Sequence, residues 1–302
     1  MRIDTAVPVA PDQSFVVDAF RPDDAPRIAN LFLTVYGPDY PVDTYYYPEK
    51  LIHAVKAGNL HPVVCRTETG DIIACGAIYH SAPPNRNLFE FGQYMVLREY
   101  RKTTAAFRMT NYIANTIIPS AGIEGLFGEA VTNHTTSQKI QRILNSKDCG
   151  IELLLMPASL YLKEQSARGR VSCVMGFRIY QDRPQEVYLP APYAETLQTF
   201  IAQLGLSRTI LPNNAEPQLS AASMLNSVFI DHAGIVRVHA SEIGEDFADR
   251  LSAIEADADR KSAVVRQWFL NLSDSGIGSA VSLLRRNGYF LGGYLPQWFG
   301  AD

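Results

Sequence analysis

Two groups of residues in this chain could do chemistry together: lone carboxylates in apolar strands, and a basic loop leading into a helix. Glu90 lies in Leu88-Phe89-Glu90-Phe91-Gly92-Gln93-Tyr94-Met95-Val96, and Glu129 in the apolar stretch 125–132. Burial disfavours ionised carboxylates, so a carboxyl inside such a strand is a candidate general base. Histidine's ordinary pKa lies near working pH, which makes His134, just past the second stretch in Asn133-His134-Thr135-Thr136-Ser137, a rival base. The basic loop is Arg101-Lys102-Thr103-Thr104-Ala105-Ala106. A short loop ahead of a helix aims unpaired backbone N–H groups at one point, the helix dipole adds positive potential, and Arg101 and Lys102 add full charges, so a pyrophosphate could dock there.

Each feature also has a plain structural reading. A strand carboxylate can simply face solvent, and Thr135, Thr136 and Ser137 can be a helix cap. Alternation puts Glu90 on one face with Gly92 and Tyr94, and Phe89, Phe91 and Gln93 on the other, without saying which face meets a cleft. The helix after the loop is clear: Ala105, Met109, Tyr112, Ile113, Thr116 and Ile117 recur at helical spacing, and Pro119 closes the run.

The chain of 302 residues is 47% hydrophobic, enough for one large core or two ordinary ones. A formal charge of -4 without a basic run argues against nucleic acid or an anionic membrane as partner. No stretch of about eighteen apolar residues offers a spanning helix. Residues 1–13 carry no secretion-signal pattern, so a cytoplasmic location is expected. Cys65, Cys75, Cys149 and Cys173 are widely spaced and read as buried thiols of a reducing compartment. The six histidines show no paired ligand spacing, so no metal is expected.

The elements that must position the site read in order. A strand at 15–20 enters a helix with Ala25, Ile28, Ala29, Phe32, Val35 and Tyr36 on its buried face, and a second helix spans Pro48 to Lys56. Between them lie Tyr40, Tyr45, Tyr46 and Tyr47. A hairpin turns at Glu68-Thr69-Gly70-Asp71, and the Glu90 strand and the basic-loop helix follow. A fifth strand at 125–132, a helix Ser137 to Leu144 and a sixth strand Ile151 to Met156 complete the first half.

This succession over about residues 14–160 resembles the GNAT superfamily of acyl-CoA-dependent N-acyltransferases. The family's diphosphate loop reads Arg/Gln-x-x-Gly-x-Gly/Ala, and Arg101, Thr104 and Ala106 occupy those places. Thr104 stands where the family prefers glycine, and its hydroxyl could donate to a phosphate instead. The resemblance implies an α+β fold with a mixed, mostly antiparallel sheet and flanking helices. It also implies acetyl-CoA or another acyl-CoA as donor and a small amine or amino-acid-like acceptor, with direct attack in a ternary complex. Arg101, Lys102, Thr103, Thr104, Ala105 and Ala106 would hold the diphosphate. Tyr94, Met95 and Val96 would offer main chain to pantetheine, and Asn133 and Lys139 would touch pantetheine or the adenosine phosphates. The tyrosines at 40–47 would either overhang the acceptor or pack over a sheet edge. Many members carry a tyrosine acid on the helix after the fifth strand, but Ser137-Gln138-Lys139-Ile140-Gln141-Arg142-Ile143-Leu144 has none. A catalytically silent acyl-CoA-binding or regulatory module is therefore the alternative. A hydrolase built on Ser137 and His134 lacks a nucleophile elbow.

Past Pro157 the pattern changes, and the polar stretch 161–170 reads as the boundary between domains 1–160 and 161–302. The second half offers a helix Pro192 to Leu204, a hairpin across 231–234, and a helix bearing Phe247, Leu251 and Ile254. It ends with strand Val264 to Leu272, helix Gly276 to Asn287 and strand Tyr289 to Tyr294, repeating the order of 125–156. Glu242, Glu245 and Asp246 stand where a phosphate loop would be and would repel a diphosphate, so the second half reads as a degenerate GNAT-like copy. Trp298 and Phe299 are expected to pack on the other half or on a second copy in a homodimer.

Overall fold

The computed structural model describes the chain apart from residues 39, 41, 162–166, 213–216, 218 and 301. Strand β1 (Phe15–Ala19) leads through α1 (Ala25–Tyr36) and α2 (Pro48–Lys56) to the meander β2 (Leu60–Thr67), β3 (Ile72–Tyr79) and β4 (Leu88–Val96). The β2–β3 turn closes where expected: Gly70 takes φ +86, and Thr67 Oγ1 accepts the Asp71 amide at 3.0 Å. Helices α3 (Ala105–Tyr112) and α4 (Ile118–Ala121) follow, joined by a π-turn over Ile113–Ile117. Pro119 lies inside α4 rather than ending the run: the wider π-turn precedes the position where proline supplies no N–H.

Strand β5 (Gly125–Val131), helix α5 (Thr136–Ile143), β6 (Lys147–Met156) and β7 (Val171–Ile179) complete one seven-stranded sheet, in the order β1-β2-β3-β4-β5-β7-β6. Strand β4 is parallel to β5, and the other pairs are antiparallel. The expected boundary at residue 160 falls inside this sheet, because β7 inserts between β5 and β6 and pairs with both. The polar stretch 161–170 is thus a connection within one unit, and its residues 162–166 lie outside the described residues.

Adjacent residues on β2 show how the sheet is covered. The Cys65 thiol lies 3.9 Å from the Ala105 carbonyl of α3, whereas Arg66 points the other way and pairs with Asp24 ahead of α1 and with Asp18. Helices α1 and α3 therefore cover opposite faces. All four cysteines are free and buried, and burial pushes the Cys65 thiol up to about 12.

The second half forms two small sheets. Strands β8 (Gln185–Tyr188) and β9 (Arg208–Leu211) are parallel, with α6 (Ala194–Leu204) between them. Strand β10 (Met224–Ile230) is antiparallel to β11 (Ile235–Glu242), which is parallel to β12 (Val265–Leu270) across α7 (Phe247–Arg260); α8 (Ile277–Arg286) follows. An antiparallel pair, a helix and a parallel third strand repeat the local pattern of β3, β4, α3 and β5. The strand expected at 289–294 does not join β12. Gly293 bridges Gly150, with Ile151 N to Gly292 O and Tyr294 N to Cys149 O both at 2.8 Å, so this segment covers the outer edge of β6. The approach requires glycine: a Cβ on Gly293 would lie 2.6 Å from Gly150 Cα.

Trp298 is 2% exposed and packs edge-on to Phe127 and parallel to Phe269. The second half thus closes on the β4–β7 face of the first sheet, with Leu88, Phe127, Met175 and Phe177 beneath Phe269 and Trp298.

Candidate active site

Strands β4 and β5 pair at only three positions: Leu88 with Gly125, Phe89 with Leu126 and Glu90 with Phe127. Beyond Glu90 they separate. A bulge drives the separation: Gln93 has φ +56, and the β3–β4 register skips between Cys75–Met95 and Ala77–Gly92, so Gly76 stands opposite both Gln93 and Tyr94. The bulge also changes which way side chains point. Tyr94 does not share a face with Glu90, as alternation implied. Its ring lies 4.7 Å from that of Phe91, crosses Gly76, and its hydroxyl meets Thr110 Oγ1 of α3 at 3.1 Å. Glu90 faces away from α3, towards Tyr79, whose hydroxyl donates to Glu90 Oε1. Burial, and then the negative charge of Glu129, push the Glu90 carboxyl up to about 7.

Glu129 lies on the same face two residues beyond the fork. Glu129 pairs across the sheet with Met175, and Glu152 with Cys173, which puts both carboxylates on the face covered by the second half. There Arg237 of β11 reaches Glu152 Oε1 at 3.0 Å and Glu129 Oε1 at 3.3 Å. Gln267 of β12 donates to Glu152 Oε1 at 2.8 Å and accepts from Arg237 Nε at 2.9 Å. Burial and the charge of Glu129 hold Glu152 well above the usual carboxylate range. Three carboxylates and one guanidinium thus form a row along one face, from the fork to β6. Glu152, Arg237 and Gln267 were not among the sequence candidates. The same signal would have found the first two: Glu152 is the one charge in the apolar stretch 151–156, and Arg237 the one Lys, Arg, Asp or Glu in 235–240.

His134 is not part of this row. Parallel strands end on the same side, so the chain leaving β5 heads towards the basic loop, and a strand rise of ~3.3 Å per residue takes Val131 about 13 Å from Phe127. His134 is exposed beyond that point, its carbonyl facing Gln138 Nε2 at 3.4 Å. Asn133 is half-buried in the same turn, and Lys139 is exposed on α5. These three residues therefore flank the loop end of the fork, away from Glu90.

The loop has the form the sequence implies. Arg98–Tyr100 make a 3-10 turn, and Thr103 Oγ1 donates to Tyr100 O at 2.7 Å while accepting the Ala105 amide at 3.2 Å. Among the described hydrogen bonds, the amides of Lys102, Thr104, Ala106 and Phe107 have no protein acceptor. Thr104 has φ -81, a conformation open to any residue, so the backbone does not need the family's glycine. Arg101 and Lys102 are exposed, with Arg101 Nε 3.3 Å from the Val96 carbonyl at the end of β4. A run of acceptor-free amides beside two cations at a helix start fits a diphosphate, and the unpaired edges of the fork fit an extended pantetheine arm.

The tyrosines of the α1–α2 connection pack and also approach the site. Tyr45 and Tyr46 are each 1% exposed, Tyr45 stacks on Phe32 at 4.0 Å, and Tyr46 donates to Gly37 O at 2.5 Å. Burial raises the Tyr40 hydroxyl, and Glu90 adds to the rise, which places Tyr40 on the carboxylate side of the sheet.

No protein-family model matches the sequence, and no curated protein is matched by it. Among solved structures, the ribosomal-protein-S5-alanine acetyltransferase of Vibrio fischeri is similar over 60% of this chain and 100% of its own, at 16% identity and a TM-score of 0.43. The ribosomal-protein-S18-alanine N-acetyltransferase of Escherichia coli is similar over 56% of this chain and 96% of its own, at 10% identity and a TM-score of 0.42. A spermidine/spermine N-acetyltransferase of Vibrio cholerae is similar over 55% and 95%, at 11% identity and a TM-score of 0.42. The mixed, mostly antiparallel sheet with flanking helices is what the sequence resemblance implies, and residues 15–179 have the fold of the GNAT acyltransferases.

Proposed function

We propose that the protein is an acyl-CoA-dependent N-acyltransferase acting on a small amine or amino-acid-like acceptor. The observation that carries the reading is Glu90: a carboxyl raised to about 7 at the point where β4 and β5 part. The amides of Lys102, Thr104, Ala106 and Phe107, with the Arg101 and Lys102 side chains, hold the diphosphate. When bound, acetyl-CoA or another acyl-CoA supplies an activated acyl carbonyl at the fork. Glu90 takes a proton from the acceptor's ammonium, freeing the nitrogen lone pair for attack, and Tyr79 fixes the Glu90 carboxyl by its hydrogen bond. Three carboxylates against one guanidinium draw a cationic acceptor to this face. The second half covers the acceptor side as a degenerate second GNAT-like copy.

The test is thiol release from acetyl-CoA against a panel of primary amines. We expect kcat/KM to rise with pH and level off above about pH 7, as Glu90 loses its proton. Glu90→Gln should lower kcat by roughly 10²-fold or more, as for loss of a general base. A flat pH profile with an active Glu90→Gln variant would contradict the assignment.

One observation favours a second reading. Helix α5 carries no tyrosine to protonate a departing thiolate, which suits a silent acyl-CoA-binding module. Binding of acetyl-CoA without thiol release on any amine would support it.

A further inference from the structure

Between the two halves lies a cavity of about 520 Å³, on the far side of Glu152 from the fork. Its walls come from β6, β12, α8 and the 289–299 segment. The half of the chain beyond residue 180 supplies most of them. The lining is mainly apolar, and the mouth carries large apolar groups open to solvent: Leu153 is 44% exposed, Leu154 50% and Phe290 68%. The polar groups sit at the inner end. Glu152 is 6% exposed and Trp298 2%, yet among the described residues no donor reaches Glu152 Oε2 and no acceptor reaches Trp298 Nε1. A buried polar atom left unpaired costs roughly 1–3 kcal/mol, so Glu152 Oε2 points to a ligand that donates to it. The volume suits a small organic molecule rather than a lone ion.

We infer that this cavity takes the apolar body of a bulky primary amine, an arylalkylamine or long alkylamine, with its ammonium donating to Glu152 Oε2. The inference rests on the transferase reading for the amine's fate, but binding itself does not depend on it. Glu152 shares Arg237 with Glu129, so the row of carboxylates joins the cavity to Glu90 at the fork. Burial and the charge of Glu129 hold Glu152 well above the usual carboxylate range, and an ammonium beside it favours its ionised form, so a proton on Glu152 leaves to solvent as the amine binds. Small polar amines have nothing to offer the apolar walls. At about 25 cal/mol per Å², burying an aromatic body of roughly 150 Å² favours the bulky amine by more than a hundredfold over ethanolamine.

The experiment is calorimetric titration of the full chain with tryptamine, phenethylamine and ethanolamine, without acetyl-CoA, followed by acetyl-CoA alone. We expect the two aromatic amines to bind and ethanolamine to bind at least 50-fold more weakly. Glu152→Gln should weaken tryptamine at least tenfold. Because that variant alters a buried ion network, Leu154→Asp and Phe290→Asp at the exposed mouth provide the second arm. Each should weaken tryptamine severalfold and leave acetyl-CoA affinity unchanged. Equal binding of all three amines, or tryptamine affinity unaltered in both mouth variants, would overturn the inference. Tryptamine binding with no acetyl-CoA binding would uphold the cavity and overturn the transferase reading instead.

Discussion

Arg237 and Glu152 meet at 3.0 Å across the boundary between the two halves, with side chains 11% and 5% exposed. The same guanidinium also neutralises Glu129. Removing one partner of a buried pair leaves an uncompensated charge and costs about 3–5 kcal/mol. Arg237→Met should therefore lower the denaturant midpoint by about that free energy, whereas Arg237→Met with Glu129→Gln and Glu152→Gln should recover most of it. A single variant within 1 kcal/mol of the parent would show that the network contributes little.

Glu90 sets a pH dependence of stability with a definite sign. Below pH 4.5 the carboxyl is protonated whether the chain is folded or unfolded. Between 4.5 and about 7 the unfolded chain ionises while the folded site, enclosed by Tyr79, Ser81, Glu129 and Arg237, keeps its proton. Stability therefore falls as pH rises through that window, by about 3 kcal/mol at 1.36 kcal/mol per unit. Glu90→Gln should be more stable than the parent at pH 8 and equal to it at pH 4. Chemical denaturation at the two pH values measures this, and a variant less stable at pH 8 would show that the carboxylate is stabilised there.

His239 has the opposite sign. It lies in a parallel stack with Phe269 and Trp298, neither ring nitrogen has a hydrogen-bond partner among the described residues, and burial followed by Arg237 lowers it to about 4. Between pH 6.5 and about 4 the unfolded chain takes a proton that the folded one refuses, so stability drops as pH falls. The two windows overlap, so His239→Phe is best compared in the Glu90→Gln background. The double variant should lose less stability from pH 6.5 to 4 than Glu90→Gln alone. An equal loss would place the acid sensitivity elsewhere.

Local signals carried the reading of the first half, and long-range ones were hidden from it. The β4–α3 unit is legible because its hydrophobic period changes from two to 3.6 at the basic loop, and Glu90 and Glu129 stand out as charges in apolar strands. The bulge was not legible: nothing about Gln93 announces φ +56, so alternation misplaced Tyr94. The insertion of β7 between β5 and β6 was hidden because a polar connection reads the same within a sheet as between domains. Residues 289–294 look like a strand, but the pairing that Gly292 and Gly293 allow is with β6, more than 140 positions earlier in the chain. Charge pairing across halves, as in Arg237 with Glu129 and Glu152, leaves no trace in either strand alone.

The loop at 101–107 is proposed to hold the diphosphate of an acyl-CoA. Calorimetric titration of acetyl-CoA into the native chain and into Arg101→Ala/Lys102→Ala tests it directly. One site per chain is expected in the native protein. In the double variant affinity should weaken at least tenfold at low salt, with a smaller difference at high salt because these exposed charges are screened. No heat of binding in the native protein, or equal affinity in both at every salt concentration, would contradict it.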